Sequence, residues 1–335
     1  MVEQNISLKQ FNSFGIDVKA GYFSSFSSTN DLSSLFKEYQ GVPFLIIGGG
    51  SNLLLTQDFN GIVLKNEISG KTIIEETSDS VLVKVGGGEN WHEFVLWAVE
   101  KGYGGIENMS LIPGSVGASP MQNIGAYGVE IKNVFDHLFA YHIETGEIHR
   151  FSLEECHFGY RESVFKRALK NQYVITEVCF RLEKNRKVNT TYGAIEQELQ
   201  KMGISSPSIK DVSNAVVAIR QSKLPNPIEL GNAGSFFKNP VVEDSLANTI
   251  LEKYPEAPVY PAENGKKKLA AGWLIEQAGW KGKTVGTCGV HKLQALVLVN
   301  YGGSTGQQIY DLSTAIISDI QAKFGVTLER EVNIL

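Results

Sequence analysis

The chain has 335 residues, a length that predicts about two domains or three. Its 42% hydrophobic and 20% charged residues are typical of a globular protein and exclude a disordered chain. The 36 acidic and 31 basic side chains leave a formal charge of −5, so no excess of positive charge indicates nucleic-acid binding.

Cysteine usage and the N-terminal residues bear on the cellular compartment. The three cysteines lie far apart, which argues against a disulfide framework and a zinc knuckle and favours a reducing compartment. The first ten residues hold no basic segment followed by an apolar one, so no secretory signal is expected. Apolar runs fall far short of the ~20 residues that a membrane span needs. We therefore expect a soluble cytoplasmic protein with no metal site, no membrane span and no nucleic-acid partner.

Short strands dominate the first half of the chain. Apolar and alternating runs predict strands at 43–47, 61–65, 72–76, 81–85, 135–143, 147–151 and 173–182. Helical spacing of apolar residues from Trp91 to Val99 predicts one helix, which ends before Gly102.

The second half has a mixed pattern. Helices are predicted at 215–220, 243–254, 269–278 and 305–324, and a buried strand at 295–299. The last segment, 326–334, alternates as a strand does, with Arg330 on the apolar face and Glu329 and Glu331 on the other.

The common nucleotide-binding fingerprints are absent. A phosphate-binding P-loop needs a glycine five positions before its Gly-Lys-Ser/Thr triplet, and the corresponding positions hold Lys65 and Gln277. A dinucleotide fingerprint fails at Leu53 and at Trp91, where the last glycine is required. A Rossmann domain is therefore not expected.

Two glycine segments need another explanation. The first, 48–53, follows a predicted strand, and its three consecutive glycines let several backbone N–H groups face one anion. A flexible surface loop is the alternative. The second, 113–128, is rich in glycine and proline, almost uncharged, and too apolar for a solvated loop. A large polar ligand could satisfy its backbone groups, and an internally bonded loop is the alternative.

These two segments resemble the flavin-binding loops of the UDP-N-acetylenolpyruvoylglucosamine reductase (MurB) family. The similarity continues through the motifs GYRES at 159–163, GNAGSFFKNP at 231–240, QALVLVN at 294–300 and LEREV at 328–332. The motifs run in family order over nearly the whole chain. The resemblance implies an enzyme that makes UDP-N-acetylmuramate for peptidoglycan, using NADPH as co-substrate and non-covalent FAD.

The resemblance also implies the fold. The expected class is α+β, with an FAD-binding fold of the vanillyl-alcohol-oxidase (PCMH) type in two subdomains and a C-terminal α/β substrate-binding domain. The expected boundaries are 1–64 with the terminal strand 326–335 for the first FAD subdomain, 65–212 for the second, and 213–325 for the substrate domain. A monomer is expected.

By resemblance, FAD contacts fall in both glycine segments. The expected FAD-binding residues are Gly48, Gly49, Gly50, Ser51, Asn52, Leu53, Pro113, Gly114, Ser115, Gly117, Ala118, Gln122, Asn123, Gly125 and Ala126. The expected substrate-binding residues are Tyr127, Tyr160, Tyr192, Lys223, Asn239 and Gln294. The stretch 188–203, which holds Tyr192, resembles the extra loop of the family's type I branch.

Three residues match the family's catalytic positions: Arg161, Ser235 and Glu331. A guanidinium such as that of Arg161 grips a carboxylate through two parallel hydrogen bonds and stabilises charge that develops on it. Ser235 matches the proton donor, and a carboxylate at Glu331 would orient the cation or stabilise an enol. The alternatives are a salt bridge of Arg161 with Glu154 or Glu155, a turn serine, and a solvated edge-strand glutamate.

Two other functions fit the same scaffold. An FAD-dependent oxidase is one, but such enzymes often tether FAD through His or Cys, and 113–128 contains neither. An inactive nucleotide-sugar binding module is the other, but all three catalytic positions are present. The partner expected from the resemblance is a small UDP-sugar enolpyruvyl ether.

Overall fold

The computed structural model describes all residues from Met1 to Leu335. Their contacts divide the chain into two compact units, each built from three stretches. Unit 1 comprises Met1–Ile6, Ala20–Gly49 and Asn60–Ser222, and unit 2 comprises Ser7–Lys19, Gly50–Phe59 and Lys223–Leu335. The three-part division expected from the sequence stays a prediction.

The chain contains both helices and strands throughout. The α-helices are α1 Thr29–Glu38, α2 Trp91–Glu100, α3 Gly193–Lys201, α4 Ile209–Lys223, α5 Asp244–Lys253, α6 Ala271–Gln277 and α7 Gly306–Phe324. The strands are β1 Glu3–Ser7, β2 Lys19–Phe26, β3 Phe44–Ile47, β4 Leu53–Leu54, β5 Phe59–Asn66, β6 Lys71–Glu76, β7 Ser80–Gly86, β8 Gly125–Ala126, β9 Val129–Glu130, β10 Phe135–His142, β11 Ile148–Ser152, β12 Tyr173–Glu183, β13 Gly231–Ser235, β14 Val241–Val242, β15 Val259–Pro261, β16 Lys267–Leu269, β17 Thr284–Val285, β18 Cys288–Val290, β19 Val297–Asn300 and β20 Asn333–Ile334.

The main core of unit 1 lies between a five-stranded sheet and helix α2. The sheet has the order β11-β10-β12-β7-β6, and its neighbouring strands pair antiparallel. Helix α2 begins after Asn90, whose side chain accepts a hydrogen bond from the N–H of Glu93. Its apolar face, with Trp91 and Phe94, packs on sheet residues such as Phe180. The sheet therefore supplies a rigid support for the loops that follow β7 and α2.

A second sheet in unit 1 positions the first glycine segment. Its order is β1-β2-β5-β3, and β3 runs parallel to β5. Helix α1 follows Ser28, whose side chain accepts from the N–H of Asp31, and buries Leu32 and Leu35. Because β3 ends at Ile47, Gly48 and Gly49 begin at the carboxyl end of a sheet strand.

Unit 2 is organised around one sheet and the long helix α7. The sheet has the order β13-β19-β18-β17, and a smaller sheet has the order β14-β16-β15. A capping box between Thr305 and Gln308 begins α7, and Gly325, with φ of 68°, ends it. The helix buries one stripe that includes Ile309, Leu312 and Ile316.

Most predicted elements form, and four differ from the expectation. The terminal segment pairs as a strand only at β20, which runs parallel to β4, although 326–332 keeps the expected alternation of burial. Helix α4 is longer than predicted, because Asp211 and Ser208 bond to each other at its start. The stretch 188–203 holds α3, and 113–128 contains a 3₁₀ helix, Val116–Gln122.

No α-helix combines the length and apolarity that a membrane span requires.

Candidate functional site

The two glycine segments meet in unit 1. A Cβ atom on Gly49 would lie 3.2 Å from the Cα of Gly114, and one on Gly48 would overlap the side chain of Ser115. Only glycine permits this approach, because any side chain would separate the two backbones. The close contact explains why both segments carry glycine at these positions.

The backbone around this contact has unused donors. The N–H groups of Gly114 and Ser115 donate no backbone hydrogen bond, whereas the next two bond to Glu89 O at 2.9 Å and Gly87 O at 2.8 Å. Adjacent, unbonded N–H groups bind anionic oxygen atoms well, since each brings a partial positive charge without a side chain. This donor set fits the pyrophosphate of FAD.

The remainder of the first segment belongs to unit 2. Gly50 O accepts a hydrogen bond from Ser13 N at 3.0 Å, and Leu53 pairs with Asn333. The amide of Asn52 donates to the backbone O of Glu331 at 3.3 Å. Asn52, predicted to bind FAD, therefore lies beside the segment that carries the predicted catalytic glutamate, while the roles of Ser51 and its neighbours stay predictions.

The 3₁₀ helix turns the second segment back on itself. Ala118 N bonds to Ser115 O at 3.1 Å, and Ile124 N bonds to Ser119 O at 3.2 Å, so part of the backbone is satisfied internally. Pro113 and Ala118 remain exposed. The ligand and internally bonded interpretations thus apply to different parts of the same segment.

The second segment and the GYRES loop are tied by three hydrogen bonds. The buried amide of Asn123 donates to Gly159 O at 3.1 Å, and Ser163 Oγ donates to Met121 O at 2.7 Å. The third bond joins Arg161 Nη2 to Gly125 O at 3.1 Å. The structure thus brings the predicted catalytic arginine to the predicted flavin segment.

Arg161 has further contacts within its loop. Its guanidinium carbon lies 5.7 Å from the ring centroid of Tyr160, a side chain that is 37% exposed. Glu155, an alternative partner suggested by the sequence, accepts instead from the N–H of Ser152 at 2.7 Å. The backbone of Gly159 bridges that of Glu162, so the loop closes tightly around Arg161.

Backbone strain is concentrated around these segments. Non-glycine residues with positive φ include Leu111 at 59°, Asn123 at 45°, Tyr127 at 50° and Arg161 at 56°. Each such conformation costs about 1–3 kcal/mol for a non-glycine residue and persists only where the surroundings impose it. Such clusters are typical of functional sites.

Two predicted substrate-binding tyrosines lie together in unit 1. The rings of Tyr127 and Tyr192 pack edge to face with centroids 5.3 Å apart, and Tyr192 is 52% exposed. The buried amide of Asn108 fixes both chain segments, donating to Tyr127 O at 3.3 Å and Asn189 O at 2.9 Å. The sequence analysis did not identify Asn108, which precedes the glycine segment without a motif of its own.

Arg220 and His92, which the sequence analysis did not identify, both bond to the backbone of Leu111. Arg220 Nε donates to Leu111 O at 3.2 Å. The guanidinium of Arg220 also interacts with the hydroxyl of Tyr127. His92 Nδ1 accepts from Leu111 N at 2.9 Å. Burial lowers the pKa of both side chains and raises that of Tyr127. The one available signal was the position of Arg220 three residues before Lys223, on one helical face.

Ser235 lies at the exposed end of β13 in unit 2. The pairing of β13 with β19 shifts register between Asn232 and Ser235, and such a bulge redirects the side chain that follows it. The buried Asn232 fixes the turn, because its Oδ1 accepts from Gly234 N at 2.9 Å and its Nδ2 donates to Leu230 O at 2.8 Å. Ser235 therefore follows a turn, and it is also an exposed residue.

Glu331 lies next to the Ser235 motif. Its N–H donates to Phe236 O at 2.8 Å, one residue after Ser235. The neighbouring Glu329 pairs with the buried Lys238, with Nζ and Oε1 2.6 Å apart. This ion pair involves Glu329 and not Glu331, and the catalytic role of Glu331 stays a prediction.

Two further predicted substrate residues meet at the start of α6. Asn239 Oδ1 accepts from Ala271 N at 3.0 Å. Gln294 Oε1 lies 3.3 Å from the position of a Cβ on Gly272. Lys223 is exposed at the end of α4. Arg161 belongs to unit 1, and Ser235, Glu331, Asn239 and Gln294 belong to unit 2.

The cysteines take no part in this arrangement. All three are buried free thiols. Burial raises the pKa of Cys156 and of Cys179 to about 12, so neither is a thiolate near neutral pH.

Comparison with known sequences identifies the family. Residues 226–335 match the UDP-N-acetylenolpyruvoylglucosamine reductase C-terminal domain, and residues 22–152 match an FAD binding domain. A UDP-N-acetylenolpyruvoylglucosamine reductase of Flavobacterium johnsoniae is 52% identical over 100% of this chain and 99% of its own. The chain belongs to the UDP-N-acetylenolpyruvoylglucosamine reductase family. A relative of the same name from Pseudomonas putida is 49% identical over 99% of this chain and 98% of its own.

Solved structures agree with the expected fold class. The reductase (MurB) of Thermus caldophilus superposes with a TM-score of 0.70 at 22% identity, covering 100% of this chain and 98% of that one. The 6-hydroxy-D-nicotine oxidase of Arthrobacter nicotinovorans gives 0.54 at 13% identity, covering 98% and 86%. The α+β flavoprotein fold is thus confirmed, and family membership makes this member an FAD-containing oxidoreductase and disfavours the oxidase alternative.

Proposed function

We propose that this protein reduces the enolpyruvyl ether of UDP-N-acetylglucosamine enolpyruvate to UDP-N-acetylmuramate, with NADPH as the electron donor. The curated relatives are named for this reductase activity. The observation that carries the proposal is the set of three hydrogen bonds that ties the loop of Arg161 to 121–125. They fix a carboxylate-binding cation against the segment proposed to hold the flavin.

Bound FAD would supply the hydride chemistry that links NADPH to the substrate, and the residues of this chain would hold it in place. The unbonded N–H groups of Gly114 and Ser115 suit its pyrophosphate. The other proposed FAD contacts lie in Gly48–Leu53 and between Pro113 and Ala126. We propose that FAD is held without a covalent bond.

Arg161 is proposed to bind the carboxylate of the enolpyruvyl group. A hydride that arrives at the terminal carbon leaves negative charge on the adjacent carbon, delocalised into this carboxylate. A fixed guanidinium stabilises that charge more than it stabilises the ground state, and therefore lowers the barrier. The bond from Nη2 to Gly125 O fixes the guanidinium before the substrate arrives.

Ser235 is proposed to deliver the proton that completes the reaction. A serine hydroxyl is a weak acid, so it protonates only a strongly basic centre such as the enolate-like carbon. Its Oγ–H bond breaks as the carbon–hydrogen bond forms, and the exposed bulge leaves the hydroxyl accessible. Glu331, whose N–H donates to the backbone O of Phe236 next to Ser235, is proposed to stabilise the enol form.

The nucleotide part of the substrate needs polar and aromatic partners. Tyr127 and Tyr192 offer a paired aromatic surface, and Lys223 offers an exposed cation for the diphosphate. Asn239 and Gln294 add amide groups, and Tyr160 lies beside Arg161. We propose this set as the substrate contacts of a type I enzyme.

The Ser235→Ala variant tests the assignment. Loss of a group used only in the transition state typically costs ~10²–10³ in rate. We expect product formation to fall by this factor, while NADPH still removes the flavin absorbance at the wild-type rate. Stopped-flow absorbance separates the two half-reactions.

The exposed Ser245 on α5 offers a matched control in the same unit. Ser245→Ala is expected to leave both half-reactions unchanged. Equal loss of flavin reduction and product formation in Ser235→Ala would contradict the role given to Ser235.

At the level of the cell, we propose a cytoplasmic monomer that supplies peptidoglycan synthesis. Loss of the activity is then expected to affect cell-wall biogenesis, cell shape and cell division, because the wall precursor would not be made.

A further inference from the structure

The segment that carries Glu331 is anchored to helix α7 by Arg330. Arg330 Nε donates to Ser313 Oγ at 2.7 Å, and Nη2 donates to Thr314 Oγ1 at 2.6 Å. Its guanidinium carbon lies 4.3 Å from the ring centroid of Tyr310, one helical turn earlier. The edge of the planar guanidinium thus binds two neighbouring hydroxyls, and its face covers an aromatic ring.

The same segment also bonds to the backbone of the residues that follow Ser235, from Phe236 to Lys238. Phe237 forms a backbone bridge with Arg330, and Glu331 N donates to Phe236 O at 2.8 Å. Lys238 N donates to Glu329 O at 2.9 Å. In such an extended segment, successive side chains point to opposite sides. The contact of Arg330 with α7 therefore directs the side chain of Glu331 away from α7.

We infer that Arg330 is a positioning residue for Glu331, and through it for protonation of the substrate. The inference rests on the proposed function, since it assigns Arg330 a role only if Glu331 has one. Arg330 does not need to touch substrate or cofactor. It fixes which way the segment faces and how far it lies from the backbone beside Ser235.

The chemistry of arginine explains why another residue would not serve. Two hydroxyls on adjacent residues require two donors in a fixed fork, and the ring of Tyr310 requires a planar cation. Lysine keeps the charge but has neither the fork nor the plane. Arg330→Lys therefore separates geometry from charge, and Arg330→Met removes both.

The test is single-turnover oxidation of the reduced holoenzyme by UDP-N-acetylglucosamine enolpyruvate. Misplacement of a catalytic group by about 1 Å can cost ~10²-fold, so we expect Arg330→Met and Arg330→Lys to slow this step by ~10–100-fold. Reduction of the flavin by NADPH should stay at the wild-type rate. Ser313→Ala combined with Thr314→Val removes the other end of the same bonds and should give the same defect.

Coupling to Glu331 distinguishes positioning from general loosening. In a Glu331→Gln background, Arg330→Met should cause no further loss of rate, because both changes act on one step. Thr327→Val is the matched control: its hydroxyl joins the same segment to α7 through Gln321 Oε1 at 2.6 Å, four residues before Glu331. This variant should keep the wild-type rate of both half-reactions.

Three results would overturn the inference. They are a wild-type rate in Arg330→Met, an additive loss in the double variant with Glu331→Gln, or an equal loss in Thr327→Val. Failure of the wild-type enzyme to form UDP-N-acetylmuramate would instead contradict the proposed function, so the two failures are distinguishable.

Discussion

Arg161 has a backbone conformation that L-amino acids rarely adopt, with φ of 56°. The left-handed region costs about 1–2 kcal/mol for a residue with a Cβ atom. The chain accepts this cost at the residue that we propose to bind the substrate carboxylate. The conformation turns the guanidinium toward Gly125 O, so strain and function are linked at one position.

Two replacements of Arg161 separate the backbone strain from the proposed function. Arg161→Gly and Arg161→Ala both remove the guanidinium, and both are expected to abolish substrate reduction. Glycine also removes the backbone strain, partly offset by its greater freedom in the unfolded chain. We therefore expect the free energy of unfolding of the glycine variant to exceed that of the alanine variant by ~0.5–1 kcal/mol. Urea unfolding measures it, and the reverse order would contradict this account of the strain.

His92 predicts a pH dependence of stability. Its Nδ1 accepts from Leu111 N and so must be unprotonated, and burial lowers its pKa below the ordinary value of 6.5. As the pH falls through 6.5, the unfolded chain takes up a proton that the folded chain does not, so folding loses stability. The contribution of His92 is at most about 1.4 kcal/mol per pH unit.

The variant His92→Gln keeps an acceptor and does not titrate. We expect its free energy of unfolding to fall less between pH 7 and pH 5 than that of the wild type. Some pH dependence should remain, because burial also lowers the pKa of His291. An unchanged slope in the variant would contradict the assignment to His92.

Sequence reasoning at this scale was limited to residues inside motifs. Arg161, Ser235 and Glu331 were found because their neighbours form recognisable strings, and their roles stay predictions. Asn108, His92 and Arg220 have no such neighbours. Asn108 donates to the backbone of Tyr127 and Asn189, whereas His92 and Arg220 bond to the backbone of Leu111, just before the second glycine segment. A long-range contact with a backbone atom leaves no pattern in a single sequence.

At the scale of elements, close packing at glycine determines how the second glycine segment, 113–128, lies against its neighbours. A Cβ on Gly117 would lie 2.9 Å from Gly87 O and 3.1 Å from Ile175 O, both backbone atoms that cannot move aside. Gly117 N also donates to Gly87 O. The glycine triplet at 86–88, which does not complete a dinucleotide fingerprint, thus packs against the second glycine segment through Gly87.

The Gly117→Ala variant tests this packing. Overpacking of this kind costs about 1–3 kcal/mol, and we expect the loss to appear as lower thermal stability and weaker FAD retention. The ratio of flavin to protein absorbance after gel filtration measures retention. Gly193→Ala is the control, since a Cβ there meets no atom within 4 Å. Equal retention in both variants would contradict the account.

Elements with strong periodicity were predictable, and those set by tertiary contacts were not. Helix α7 and the strands β10 and β12 match the predicted ranges closely. The segment 326–332 alternates like a strand, yet its backbone bonds go to scattered partners such as Phe236 and Asn52. Alternation reports which side is buried, and it does not report whether a neighbouring strand is present.

At the scale of the molecule, the chain passes repeatedly between its two units. Unit 2 takes Ser7–Lys19 and Gly50–Phe59 from the N-terminal part of the chain. Composition and linkers cannot predict such exchanges, because they depend on which strands pair far apart in sequence. The resemblance to a family supplied the fold class, whereas local patterns alone predicted a strand-rich first half and a second half that mixes helices and strands.

The central claim is that the bound flavin passes its electrons to an enolpyruvyl ether. The most direct measurement is absorbance of the anaerobic holoenzyme after reduction by NADPH and addition of UDP-N-acetylglucosamine enolpyruvate. The account predicts that the flavin absorbance returns without oxygen and that UDP-N-acetylmuramate forms in stoichiometric amount. A flavin that stays reduced until oxygen is admitted would contradict it.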